Sequence, residues 1–340
     1  MKMKKTSESN EILKNFKELK AKIKKIKRSP KIGLIYKLYS EQQELTIRNT
    51  TLERQHKVYF LYIAPIENLR ADDIEPLFLQ AKILRPLFLE KKFTTLLYVT
   101  RLMVTLLDFA KACNLISVNS LKEIYTLPII KKSQSEMNRL LVHRPTLDFD
   151  NLRYELMQVI KSFNKTCLKR QLLLEISLRT ILRPREVCSL KIDDLDDKEH
   201  ILIVRNTKTL IEFKIPTTFR LEKIIHQAFI EFGSSDSRYV FCGGRNKKSA
   251  LSPQTLNRAL KDLGYKNRLC AHGIRSVASN YFAQHVDQIH PYVAEAMLQH
   301  SVGTKVSRAY RRDDYFHERK KATKIWNDFL DGIYRQLKLI

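Results

Sequence analysis

His272-Gly273-Ile274-Arg275-Ser276-Val277-Ala278-Ser279 is the stretch on which the fold of this chain turns. A helix is expected from His272 to Gln284, with a histidine and an arginine in its first turn. Upstream stand Lys208 and, earlier, Arg183 in Leu182-Arg183-Pro184-Arg185-Glu186. Downstream come Leu298-Gln299-His300 and, ten residues later, Tyr310. Two arginines, a lysine, two histidines and a late tyrosine thus follow one another in a chain of 340 residues and formal charge +26.

Length alone suggests two domains, each with enough chain for a core. Sixty-two Lys and Arg against 36 Asp and Glu point to a polyanionic partner, nucleic acid before an anionic membrane surface. Membrane insertion is not expected. The most apolar stretch, Phe93 to Ala110, carries Arg101 and Asp108, and a central Arg costs about 2.5–3.5 kcal/mol even on a lenient insertion scale. The lysine-rich start is followed by no apolar signal-peptide core. Five scattered cysteines with no C-x-x-C pair read as reduced thiols of a cytoplasmic protein, neither a disulfide framework nor a zinc site, and a nucleic-acid partner would make it nucleoid-associated. Eight glycines and long periodic runs indicate a mainly helical chain.

Residues 1–32 form a basic arm, with twelve Lys or Arg against three Glu before position 32. Ile12, Phe16, Leu19, Ile23 and Ile26 line one helix face within it. Such a helix suits DNA or a neighbouring protomer, and equally a solvated helix packed on the next domain. Residues 33–126 read as a helical domain, with helices over Ile32 to Glu44, Leu52 to Ala64 and Lys92 to Cys113, the last stopped by Asn114. Residues 127–149 read as a linker, broken by Pro128, by Lys131-Lys132-Ser133-Gln134-Ser135 and by Pro145. A second domain spans 150–340. Helices are expected over Asn151 to Phe163 and Cys167 to Ile181, then a hairpin from His200–Arg205 and Leu210–Ile215 with its turn at Asn206-Thr207-Lys208-Thr209. Arg238 to Cys242 makes a further short strand at most. Helices follow over Pro253–Leu263, His272–Gln284 and Pro291–His300, with a last stretch from Val302 onward.

The six polar residues suit attack on a phosphodiester. The pentavalent state gathers negative charge on its non-bridging oxygens, which guanidiniums clamp with bidentate geometry while keeping their protons. Arg183 and Arg275 fit that task. Tyrosine is a poor nucleophile at its free pKa of about 10, so cations must lower it or a base must take its proton. Phenolate attack leaves a covalent phosphotyrosine that conserves the bond for religation. Lys208, on a hairpin turn, can protonate the leaving oxygen, with Lys214 as the alternative. His272 and His300 remain to orient phosphate oxygens and exchange protons. Taken singly, each residue has a plainer role: a packing tyrosine, a capping arginine, a solvated lysine. Their order and spacing carry the functional reading.

That order resembles the catalytic domain of tyrosine recombinases, the phage integrase family. Arg183-Pro184-x-Glu186 resembles its first-arginine motif, His272 to Ser279 its H-x-x-R helix, and Leu298-Gln299-His300 with Tyr310 its L-G-H and nucleophile segment. Arg308-Ala309-Tyr310-x-Arg312, Glu318-Arg319-Lys320 and Trp326-x-Asp328-x-Leu330-Asp331 are similar to integrases of satellite phages and genomic islands. The resemblance implies a mainly α (α+β) chain: a helical core DNA-binding domain, then a mixed, mostly helical catalytic domain with a small antiparallel sheet. It gives Arg183, Lys208, His272, Arg275, His300 and Tyr310 the six active-site roles, with no cofactor and no metal. It implies double-stranded DNA with specific recombination sites as partner, held in a C-shaped clamp with strongly salt-dependent binding. It further implies a homotetramer passing through a Holliday junction, and accessory DNA-bending or directionality factors. The C-terminal helix around Trp326 to Leu337 would dock on a neighbouring copy, or pack within its own domain. Gln299 stands where the family usually has glycine, an exchange expected to be tolerable within a helix. The short segment before the core-binding region leaves recognition of distant arm sites open.

Three other signals are set aside. Asp193, Asp194, Asp196 and Asp197 could suggest a nuclease metal site but suit capping or solvated roles. Gly243 to Ser249 lacks phosphate-loop spacing and reads as a basic loop. His285 and His290 have no partner at metal-ligand spacing. The competing functions are an Xer-like resolvase of replicon dimers, a type IB topoisomerase and a non-catalytic DNA-binding protein.

Overall fold

The computed structural model describes residues 29–44, 46–140, 146–205, 212–243, 247–300 and 314–339. The chain divides into two compact units, residues 1–142 and 143–340. Most of the basic arm, the hairpin turn with Lys208, and Tyr310 lie outside the described residues.

Among its described residues the first unit forms helices and no strand, beyond one isolated bridge between Lys31 and Arg70. Helices α1 (Ile32–Glu44), α2 (Asn49–Val58), α3 (Pro76–Leu79) and α4 (Arg85–Leu89) precede α5 (Phe93–Ala112), against which α1 and α4 pack. Helix α5 is long and apolar enough to cross a membrane, yet its Leu96, Val99, Met103, Leu106, Leu107 and Ala110 are fully buried in this unit's core. Asn114 ends it with φ +53°. The Asn114 N–H bonds Lys111 O and the Leu115 N–H bonds Ala110 O, the paired closure of a Schellman motif.

The expected linker is corrected over half its length. Residues 128–140 form helix α6 (Pro128–Leu140), with Ile130 and Ser133 fully buried against the rest of the unit. Pro128 occupies the first helical position, where proline's missing N–H costs nothing, so it starts this helix instead of breaking one.

In the second unit, α7 (Leu152–Ser162), α8 (Leu168–Thr180) and α9 (Pro184–Cys188) lead into a small sheet. Strands β1 (Leu195–Asp196), β2 (Ile201–Val204) and β3 (Phe213–Pro216) pair antiparallel in that order, with Leu202 opposite both Leu195 and Ile215. Then come α10 (Phe219–Phe232), the two-residue pair β4 (Cys242–Gly243) and β5 (Ser249–Ala250), and α11 (Gln254–Leu260). Helices α12 (Gly273–Gln284), α13 (Pro291–Met297) and α14 (Phe316–Gln336) complete it. The further strand thus begins only at Cys242, at the far end of the expected Arg238–Cys242 segment. Helix α8 is the hub: Leu172, Leu173, Leu174, Ile176 and Leu178 are buried around its circumference, as expected of a helix enclosed by others.

Of the two occupants for the apolar face of the last helix, the structure shows the intramolecular one. Trp326, Leu330 and Ile333 of α14 are fully buried in the unit's own core, and Ile325, Phe329 and Leu337 pack against it. The Trp326 indole N–H bonds Leu178 O at 2.9 Å. Buried Arg179 donates to Glu175 at 2.9 Å, to Asn327 at 3.0 Å and to Asp331 at 2.7 Å, pinning α8 to α14.

Candidate active site

Arg183 is set by a break between two helices. Helix α8 stops at Ile181, whose φ of +49° turns the chain, and Pro184 starts α9 two residues after Leu182. Arg183 is therefore the N-cap. Glu186, three residues on, accepts the Arg183 backbone N–H at 2.9 Å and its Nη1 at 3.0 Å. The Arg-Pro-x-Glu spacing brings the Glu186 carboxylate back onto the cap, as in a capping box. Glu186 is only 2% exposed.

Arg275 lies in the first turn of α12 and is 4% exposed. Its Nη1 donates to Ile181 O at 2.5 Å and its Nη2 to Leu298 O. Those carbonyls belong to the C-caps of α8 and α13. One guanidinium thereby satisfies unpaired acceptors at two helix C-termini, where the backbone dipoles favour a cation. Burial and the nearby Arg183 cation pull its pKa down to about 10, and Glu186 opposes them. It stays cationic at neutral pH, so two guanidiniums sit close enough to repel.

Helix α13 ends in a Schellman motif. The Gln299 N–H bonds Ala296 O at 3.0 Å and the His300 N–H bonds Glu295 O at 3.0 Å. Gln299 takes φ +52°. This corrects the expectation that Gln299 lies within a helix: it occupies the left-handed position just beyond one, where glycine is usual. Its amide meets the first arginine. Gln299 Oε1 accepts Arg183 Nη1, its backbone carbonyl accepts Nη2 at 3.4 Å, and its Nε2 donates to Glu186 Oε2 at 3.1 Å. His300, next along, is half exposed, with Nδ1 2.7 Å from Glu295 Oε2.

His272, Arg275, Ser276, Leu298 and His300 line one cleft of about 560 Å³. Arg183 joins them through Gln299 and its repulsion with Arg275. Four of the six residues singled out in the sequence are thus brought together. Lys208 and Tyr310 lie outside the described residues. Fully buried Arg319 donates Nη1 to Lys214 O on β3 at 2.6 Å and Nε to Asp314 O at 2.9 Å. Lys214 is itself exposed, opposite the face through which Phe213 and Ile215 meet the core. Sequence reading assigned no role to Glu186, Glu295 or the Gln299 amide. Only Glu186 carried a local signal, the spacing from its cap.

The set-aside aspartates are engaged locally. Asp193 meets Arg238 at 2.6 Å, Asp194 caps Lys191 N at 3.0 Å, Asp196 caps Glu199 N at 3.1 Å, and Asp197 meets His226 at 2.9 Å. Arg238 holds the Asp193 carboxyl below its ordinary pKa, whereas burial raises that of Asp194.

Residues 146–317 match the model of the phage integrase family. Prophage integrase IntA of Escherichia coli (strain K12) is 29% identical over 164 residues, covering 45% of this chain and 37% of that protein. Tyrosine recombinase XerA of Pyrococcus furiosus is 28% identical over 157 residues, covering 46% of this chain and 54% of that one. The chain thus spans about half or less of the length of these relatives. A lambda integrase tetramer solved bound to a Holliday junction shares the fold at TM-score 0.63 and 18% identity, covering 82% of this chain and 79% of that chain.

Proposed function

The chain belongs to the phage integrase family, and from that premise we propose that it is a site-specific DNA recombinase of a mobile element. Tyr310 gives its phenol proton to one of the two histidines and attacks a DNA phosphorus, forming a 3′-phosphotyrosyl bond as the bond to the 5′-oxygen breaks. Lys208 gives that oxygen its proton. Arg183 and Arg275 hold the non-bridging oxygens, with His272 and His300 beside them. Rejoining runs the same steps backwards with a 5′-hydroxyl from another strand. Four copies on two DNA sites carry the exchange, inside the cell, with DNA as the partner that the +26 charge attracts.

One observation carries this reading. Arg183 and Arg275 are held near each other despite their repulsion, each through its terminal nitrogens. Their structural bonds hold the two cations together at the cost of that repulsion; an anion between them would relieve it.

The test uses a nicked suicide substrate carrying the element's own site. Wild-type protein should yield a covalent protein–DNA band on a denaturing gel. That band should persist in EDTA and vanish with Tyr310→Phe. A band surviving that substitution would remove Tyr310 as nucleophile, and loss in EDTA would bring metal chemistry back.

A further inference from the structure

Gln299 pays a conformational penalty without local reward. A Schellman motif needs a left-handed residue after the helix, and glycine takes that conformation without a Cβ clash. At the end of α13 the position holds glutamine at φ +52°. What the glutamine contributes lies 116 residues away in sequence. Its Oε1 accepts Arg183 Nη1 and its Nε2 donates to buried Glu186. Its own carbonyl accepts Arg183 Nη2 at 3.4 Å. The end-on pair of guanidinium nitrogens is therefore gripped by one residue, with Glu186 as the second hold on Nη1.

We propose that Gln299 is a positioning residue for the first arginine. Its amide, presented by the left-handed end of α13, locks the Arg183 guanidinium against Glu186 and leaves the Nε–Nη2 edge to clamp a phosphate oxygen. Among the described residues that Nε has no partner. A guanidinium fixed through three of its donors loses little freedom when the remaining edge takes an anion. The same turn bonds the His300 N–H to Glu295 O, so one short motif sets both Arg183 and His300. The consequence for strand cleavage rests on the proposed function; the grip on Arg183 does not.

Gln299→Gly is the direct test, because glycine suits the backbone there and removes only the amide. Two readouts separate the claims. Nitrogen-15 NMR of the arginine side chains reads the grip itself. Wild-type Arg183 should show restricted guanidinium rotation, and Gln299→Gly should free it; equal rotation in both would overturn the proposal. Single-turnover cleavage of a suicide substrate reads the consequence. Gln299→Gly should cleave about 10- to 100-fold more slowly with site affinity unchanged, and should add nothing in an Arg183→Lys background. Wild-type cleavage rates in Gln299→Gly, or the same loss repeated in Arg183→Lys, would overturn it. Absence of any wild-type adduct would instead sink the proposed function, and the NMR comparison would still decide this inference.

Discussion

At Ile181 the backbone holds φ +49° in a β-branched residue, a strained conformation costing about 1–2 kcal/mol. Its carbonyl accepts Arg275 Nη1, and its side chain is 1% exposed in the core. Ile181→Gly would relieve the strain but empty a packed site, at a cost of about 2–5 kcal/mol. The cavity outweighs the strain, so urea unfolding should show a net loss of about 1–3 kcal/mol. A more stable variant would mean the turn, not the packing, dominates. Residue chemistry was legible in the sequence where it was local. Arg183-Pro184-x-Glu186 announces a capped helix start, and His272 and Arg275 share one helical turn. The Gln299 amide was not legible. Its conformation follows from where α13 stops, and its partners come from another helix.

Elements were readable where one face is apolar and unbroken. Helix α1 begins and ends where expected, and α5 falls within the expected Lys92 to Cys113, with Leu96, Val99, Met103, Leu106, Leu107 and Ala110 on its buried face. Helix α6 was hidden because Pro128 and the polar run Lys131 to Glu136 read as breakers, and among its described side chains only Ile130 and Ser133 are fully buried. Helix α10 went unassigned although Thr218 caps it, its side chain accepting Leu221 N at 3.5 Å, and Leu221, Ile224, Ile225 and Ala228 mark its buried face. The occupant of the face on α14 could not be read from periodicity, because an amphipathic helix looks the same whatever covers it. Trp326 now decides it. Trp326→Ala should cost about 3–5 kcal/mol in chemical unfolding, from the cavity alone. It also leaves Leu178 O without the indole N–H. A small loss would mean α14 contributes little to its own unit.

For the whole molecule, each of the two units has a separate core. The second carries the four assembled residues and the whole of the family match. The family was readable because its motifs are short and chemically demanding, so their order survives where identity with prophage integrase IntA is only 29% over 164 residues. The central claim is that Tyr310 becomes covalently attached to DNA. The most direct measurement is mass spectrometry of the digested protein–DNA adduct after nuclease trimming. The account predicts a nucleotide remnant on Tyr310, in the peptide between Arg308 and Arg311. A remnant on any other residue, or none from a substrate the protein has demonstrably cut, would contradict it.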